Sequence, residues 1–350
     1  MKNSWYNFIR FYIRIGLFFL HKRISVYGNE NIPKKGAVLF IGNHQNALID
    51  AILIPTTTNR NIHFLSRASA FKNKLARFFL NSLHMIPVYR IRDGINTIEK
   101  NVQVFEQCHE ILNNKEAIEI FAEGEHHLSR KIIPLKKGFA RIILGTLQKY
   151  PDLEIQIVPI GFNYDSLIGF PSSVSIYYGE PILANNFINV ENPDLRFSKI
   201  IHELSSALKK LTLHIEETKN YNEIIQKLEK HQIDYTNPIE ANKLYKNIEN
   251  LSDKGIVKKR KINWFAPLHL VSKLNSIIPL LIWKYLKSSI KDIIFMNTFR
   301  FAVIATLFPL FYLLQTVLIY YFFSLKFAVI YLASCIALGI ISKRTMKVNL

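Results

Sequence analysis

Cysteine is nearly missing. Cys108 and Cys335 are the two thiols in 350 residues, too few for a disulfide framework or a Cys-rich metal site in a chain of this size, and a reducing compartment is the default. Acidic residues are also scarce: 26 Asp and Glu stand against 45 Lys and Arg, a formal net charge of +19. Such an excess fits a nucleic-acid binder, an enzyme of acidic ligands or a protein lying on anionic lipid. No nucleic-acid motif accompanies the charge, and the basic residues fall largely beside apolar segments, so membrane electrostatics accounts for it better. No nucleophile elbow is visible and Cys108 lies in a helical stretch, which disfavours a serine or cysteine hydrolase. Internal repeats and low-complexity tracts are lacking as well. With 49% hydrophobic and 20% charged residues, the chain has ample core material for two units or one domain with appendages.

Long apolar runs mark both ends. Phe301 to Phe323 carries no charge and reaches about 34 Å as a helix, enough to cross hydrocarbon. A shorter run, Phe327 to Ile341, follows after three residues, so a tight helical hairpin is expected over 296–350, spanning only with flanking residues recruited. Lys287, Lys291 and Arg300 precede it and Lys343, Arg344 and Lys347 follow it, which by the positive-inside rule puts both ends on the cytoplasmic side. At the other terminus, Asn3, Asn7, Arg10, Arg14 and His21 form a narrow polar stripe beside Phe8, Phe11, Tyr12, Ile15 and Phe18. Residues 1–23 therefore read as an interfacial membrane helix, retained because its arginines lie inside the apolar run.

Between these ends, short apolar runs alternate with helical periodicity, which predicts an α/β core over 24–185. The strand candidates are Ala37–Gly42, Ile62–Ser66, Ile86–Tyr89, Ala117–Phe121, Ile155–Gly161 and Val174–Tyr178, mostly hydrophobic throughout, as strands covered on both faces should be. Helices are expected over 96–112 and 137–150. Residues 186–262 read as a charged helical extension, and 263–295, apolar but broken by Pro267, Lys273 and Pro279, as an interfacial or re-entrant segment.

The chemistry falls where strands end. Gly42-Asn43-His44-Gln45-Asn46-Ala47-Leu48-Ile49-Asp50 sets a His after one strand and an Asp at the start of a helix, and a His acts as general base when a carboxylate fixes its tautomer. Pro87-Val88-Tyr89-Arg90-Ile91-Arg92 sets two cations after a second strand, and Phe121-Ala122-Glu123-Gly124-Glu125-His126-His127 follows a third. Val158-Pro159-Ile160-Gly161 closes a fourth. Ligands of open α/β sheets bind at the carboxyl ends of strands, so the four blocks are expected to share one cleft. His44, His126 and His127 do not make a metal site, because adjacent histidines point apart and no Cys or Asp-rich set accompanies them.

Over residues 24–182 the order of these blocks resembles the glycerolipid acyltransferase family, which includes lysophosphatidic acid and glycerol-3-phosphate acyltransferases. Two departures stand out: five residues separate His44 from Asp50 where the family usually has four, and Ala122, Glu125 and His126 replace the usual Pro, Thr and Arg. The resemblance implies a mixed sheet covered by helices and acyl transfer from a coenzyme A or acyl-carrier-protein thioester, a co-substrate, with no resident cofactor. The acceptor would be glycerol-3-phosphate, a lysophospholipid or a related alcohol, at the cytoplasmic face of the cell membrane and among its phospholipids. His44 and Asp50 become the expected catalytic pair, and Arg90, Arg92, Glu123, Gly124 and His127 the expected substrate-binding residues. Arg67 and Arg130 are further candidates to replace the missing third-block Arg. A non-catalytic lipid-binding or scaffold protein on the same fold is the rival reading.

Overall fold

The protein is described by a computed structural model covering residues 2–89, 97–216, 219–251 and 263–346. Its centre is an eight-stranded mixed sheet of order β1-β7-β6-β2-β5-β3-β4, with β8 (Ile182–Leu183) pairing β6. The strands are β1 (His21–Tyr27), β2 (Ala37–Gly42), β3 (Ile62–Arg67), β4 (Met85–Val88), β5 (Ala117–Ile120), β6 (Ile155–Tyr164) and β7 (Ser172–Tyr178). Strands β6, β2, β5, β3 and β4 run parallel, while β7 is antiparallel to β6 and parallel to β1.

Helices cover both faces, which is why β2 is buried at all six positions. On one face, Leu39, Ile41 and Ile118 pack with α4 (Thr97–Asn113), α5 (Gly138–Lys149) and α6 (Pro193–Leu211). On the other, Val38, Phe40 and Ala117 pack with α1 (Lys2–Leu20) and α2 (Leu48–Thr57). Two further helices, α7 (Tyr221–Lys230) and α8 (Pro238–Lys246), enclose a small satellite core around Leu213, Ile215 and Leu228.

Six strand expectations coincide with observed strands to within a few residues; β1 and β8 were not foreseen. The expected division at residue 23 runs through β1, whose side chains alternate poorly between core and solvent. Strand β6 also continues three residues past Gly161, because Phe162 and Tyr164 both fill the core.

Helix α1 has two apolar faces. Tyr6, Leu17 and Leu20 are buried against the sheet, while Phe8, Phe11, Ile15 and Phe18 point outward. At Gly16 a β-carbon would sit 2.7 Å from the Phe301 ring, so glycine permits the close crossing of α1 with the C-terminal apolar helix. That helix runs from Ile293 to Phe322, 30 residues, comprising α11 (Met296–Ala302), a π-turn (Val303–Leu307) and α12 (Phe308–Phe322). Pro309 has no N–H to return to the Ala305 carbonyl four residues back, and the Tyr12 hydroxyl donates to that oxygen instead. After Phe323 and Ser324 the chain reverses into α13 (Leu325–Thr345), 21 residues rather than the 15 of the apolar run. Both helices are long and apolar enough to cross a membrane. The preceding pair, α9 (Ala266–Asn275) and α10 (Ile277–Ser289), is bent by 83°.

One core residue is out of character. Glu119 on β5 is 1% exposed, lies in register with Phe40 and Phe64, and neither of its oxygens has a hydrogen-bond partner among the described residues. Burial first, and the Asp50 charge second, hold its carboxyl well above the usual carboxylate range. An acid whose pKa is raised on folding binds more protons folded than unfolded, so its contribution to stability falls as pH rises above its unfolded value. Glu119→Gln is therefore expected to raise the melting temperature more at pH 8 than at pH 5. An equal change at both pH values would mean that the carboxyl is not neutral in the fold.

Candidate active site

The loop after β2 wraps around one carboxylate. Asp50 is fully buried, and its Oδ2 accepts from the backbone N–H of Gln45 at 2.9 Å, that of Asn46 at 2.7 Å and the His44 ring Nδ1 at 3.1 Å. Its Oδ1 accepts from the Tyr164 hydroxyl at 2.6 Å. Burial first and Asp50 second hold that phenol well above its usual range, so it stays protonated and donates. Because an ionised carboxylate can only accept, the contact fixes the proton of His44 on Nδ1 and leaves Nε2 as the basic nitrogen.

The extra residue in this block is taken up by a strained turn. Ala47 sits at φ 43°, ψ −122°, and the Ile49 N–H closes the turn on the Asn46 carbonyl at 2.9 Å. That conformation suits glycine, and it brings Asp50 back under the loop despite the longer spacing. Below, Asn43 clamps the loop to β6, donating to the Phe162 carbonyl at 3.1 Å and accepting its N–H at 2.7 Å.

The loop after β5 supports His44 from the other side. Phe121 stacks on the imidazole at 4.0 Å between centroids. Glu123 is fully buried; its Oε2 accepts the His44 backbone N–H at 2.8 Å and its Oε1 that of Ile133 at 3.3 Å. Of the two roles open to Glu123 from the sequence, contact with the acceptor or bracing of the loop, its geometry fits the second: it faces inward and braces the loop. His127 lies with Nε2 3.3 Å from the same Oε2, and its backbone N–H donates to the His44 carbonyl at 3.2 Å. Gly124 takes φ +71°, the left-handed turn that returns the chain toward Lys136, whose N–H donates to Ala122 at 2.7 Å. His126, where the family has Arg, sets its ring edge-on to His44 at 5.4 Å and to Phe295 at 5.1 Å.

Phe295 brings the C-terminal segment into the site. Asn297, 1% exposed, donates to Asn46 Oδ1 at 3.3 Å and to the Leu167 carbonyl at 2.8 Å. Arg300 donates to Asn297 Oδ1, to the Ile168 carbonyl at 3.1 Å and to the Gly169 carbonyl at 3.4 Å, with its guanidinium over Phe170 and Trp283.

The structure thus brings together His44, Asp50, Glu123, Gly124 and His127. Arg90 and Arg92 lie outside the described residues; the chain enters that stretch from Tyr89, whose N–H and carbonyl are both held by the Asn101 side chain at 3.1 and 2.7 Å. Arg67 is exposed at the carboxyl end of β3. Arg130 is not free for a ligand: its guanidinium stacks 3.4 Å from the Tyr235 centroid and donates to the Tyr164 carbonyl at 3.0 Å. Tyr164 and Asn297 were missed. The sole signal for Tyr164 was a hydroxyl-bearing ring at a core position of a strand, which needs a buried partner.

Residues 23–163 match the Acyltransferase family. This stretch is an acyltransferase domain. Over 115 residues the chain is 31% identical to glycerol-3-phosphate O-acyltransferase 1 of Saccharomyces cerevisiae, covering 31% of this chain and 15% of that protein. Glycerol-3-phosphate O-acyltransferase 2 of the same yeast is 28% identical over 115 residues, 32% of this chain and 16% of its own length. The chain thus matches about a sixth of each relative. The 1-acyl-sn-glycerophosphate acyltransferase of Thermotoga maritima, a solved structure, superposes with a TM-score of 0.41 at 20% identity, over 60% of this chain and 84% of that one.

Removing the Tyr164 hydroxyl deprives a buried carboxylate of one donor, a loss of about 1.5–3 kcal/mol for a hydrogen bond to a charged group. Tyr164→Phe is expected to destabilise the acyltransferase domain by that amount in denaturant titrations. A change within error of zero would show that water replaces the phenol.

Proposed function

We propose that the protein is a membrane-bound O-acyltransferase. It moves a fatty acyl group from a coenzyme A or acyl-carrier-protein thioester to a hydroxyl of glycerol-3-phosphate, a lysophospholipid or a related acceptor, with His44 as the general base. The observation that carries this reading is the His44–Asp50 pair, 3.1 Å apart, with the carboxylate enclosed by four donors. His44 Nε2 takes the acceptor's hydroxyl proton as the oxygen attacks the thioester carbonyl. The C–O bond forms and the C–S bond breaks, while Asp50 stabilises the imidazolium, which returns its proton to the departing thiolate. Arg90 and Arg92 supply guanidinium donors for the acceptor's phosphate, whose geometry a planar fork suits. Glycerol-3-phosphate is the first acceptor to test, since two yeast relatives carry its name.

His44→Ala is expected to lower acyl transfer by about 10²–10⁴ while leaving the melting temperature near the parent's; Asp50→Asn should also lower it strongly, and Arg90→Ala should raise KM for the phosphorylated acceptor more than for the thioester. Labelled thioester incubated with purified protein and a panel of acceptors, followed by mass spectrometry, reads all three. Parental turnover in both His44→Ala and Asp50→Asn would remove the base assignment, and no labelled lipid with any acceptor would favour a scaffold.

The membrane reading rests on the two apolar helices and on the cations at their outer ends. Both chain termini and the cleft are placed on the cytoplasmic side, where soluble thioesters occur. In sealed vesicles of known orientation, a C-terminal tag should be cleaved from the cytoplasmic face. Cleavage from the opposite face alone would exclude this topology.

A further inference from the structure

At the opposite pole of the sheet from His44 lies a cavity of about 1050 Å³. It opens at the amino ends of β2, β3 and β5, between the first turns of α1 and helix α3 (Lys74–Ser82). Four cations line it: Lys34, Lys35, Arg60 and Lys115. Arg60 builds the floor. It is 9% exposed, and its guanidinium donates to the carbonyls of Pro33 at 2.8 Å, Gly36 at 2.6 Å and Lys115 at 3.1 Å. Those three bonds hold together the two segments that carry the lysines, and all three partners are neutral. The one carboxylate in the lining, Glu116, is engaged by the His63 ring at 2.5 Å. Among the described residues, Lys34, Lys35 and Lys115 have no carboxylate partner. The cavity is thus a preformed positive concavity, a fit for a phosphate group.

Its mouth is apolar. Trp5 is 40% and Phe78 75% exposed, and both line the cavity. Trp5 is tied to α3 by its indole N–H donating to Ser82 Oγ at 3.1 Å and by an edge contact with Phe79 at 6.1 Å. From there exposed apolar side chains recur along α1 at Phe8, Phe11, Ile15 and Phe18 as far as the hairpin, where Lys343 reaches the Phe18 carbonyl. A soluble phosphate has no use for this rim. A lipid does, because its phosphate and its acyl chains need a basic recess and an apolar edge side by side.

We propose that this cavity binds the headgroup phosphate of an anionic phospholipid of the bilayer, with Trp5 and Phe78 against its chains, as a second lipid site separate from the acyl-transfer cleft. It makes α3 and the first turns of α1 a second anchor, roughly the length of α1 away from the site at His44. The 19 residues of α1 put that separation at about 28 Å.

Trp5 is the natural reporter, since the other tryptophans, Trp264 and Trp283, can be replaced by Phe in the full chain. In nanodiscs of zwitterionic lipid, brominated-chain phosphatidylglycerol should quench Trp5 at a much lower mole fraction than brominated-chain phosphatidylcholine. Each cation near an anionic headgroup is worth about fivefold in partition, so Lys115→Gln should narrow the difference by about that factor. Combining it with Lys34→Gln and Lys35→Gln should nearly abolish the difference, while acyl transfer in detergent stays at the parent's rate. Equal quenching by the two lipids in the parent would overturn the proposal. So would relief of the phosphatidylglycerol quenching by excess inorganic phosphate alone, which would identify a soluble phosphate as the occupant.

Discussion

The site depends on keeping one carboxylate charged where water does not reach. An ionised group buried without partners costs many kcal/mol, and Asp50 meets that cost with four donors drawn from the loop after β2 and the end of β6. Each donor fixes something else. The Gln45 and Asn46 amides set the loop's curvature, the imidazole acquires its tautomer, and Tyr164 locks β6 to the start of α2. Glu119, among Phe40 and Phe64, has its carboxyl held well above the usual carboxylate range by burial first and by the Asp50 charge second. A second full charge there would weaken the first, so the two carboxyls divide the roles between them.

Around this centre the two loops are interlocked through the main chain rather than through side chains alone. Glu123 takes the His44 amide, and His127 donates its own amide to the His44 carbonyl. The third block's glutamate therefore serves the first block's geometry. Within this block Glu123 holds the His44 amide and Ala122 packs into the core, while His126 sets its ring against His44.

Much of this was legible in the sequence. Interior strands such as Ala37–Gly42 and Ala117–Ile120 announce themselves as unbroken apolar runs because both faces are covered, and His44 with Asp50 falls within one short segment. What escaped reading did so for physical reasons. Strand β1, His-Lys-Arg-Ile-Ser-Val-Tyr, lies at the edge of the sheet beside β7, where polar side chains are tolerated, and its cations read as the flank of a membrane helix. Tyr164 and Asn297 act across 114 and 251 residues, and local periodicity carries no trace of such pairings. Helix α1 is the intermediate case: its outward aromatic stripe was visible, whereas its second, inward face against α2 and the sheet depended on which partner it met.

The Asn297–Asn46 contact has a consequence for how the molecule is made. A polypeptide grows from its amino end, so the acyltransferase domain is synthesised well before Asn297 and the apolar helices that follow it. Until that late segment arrives, Asn46 lacks its amide partner and Phe295 is not yet against His126. The loop around His44 thus receives its last contacts from the chain segment that continues into the two helices long and apolar enough to cross a membrane, so completion of the site waits on the synthesis of those helices.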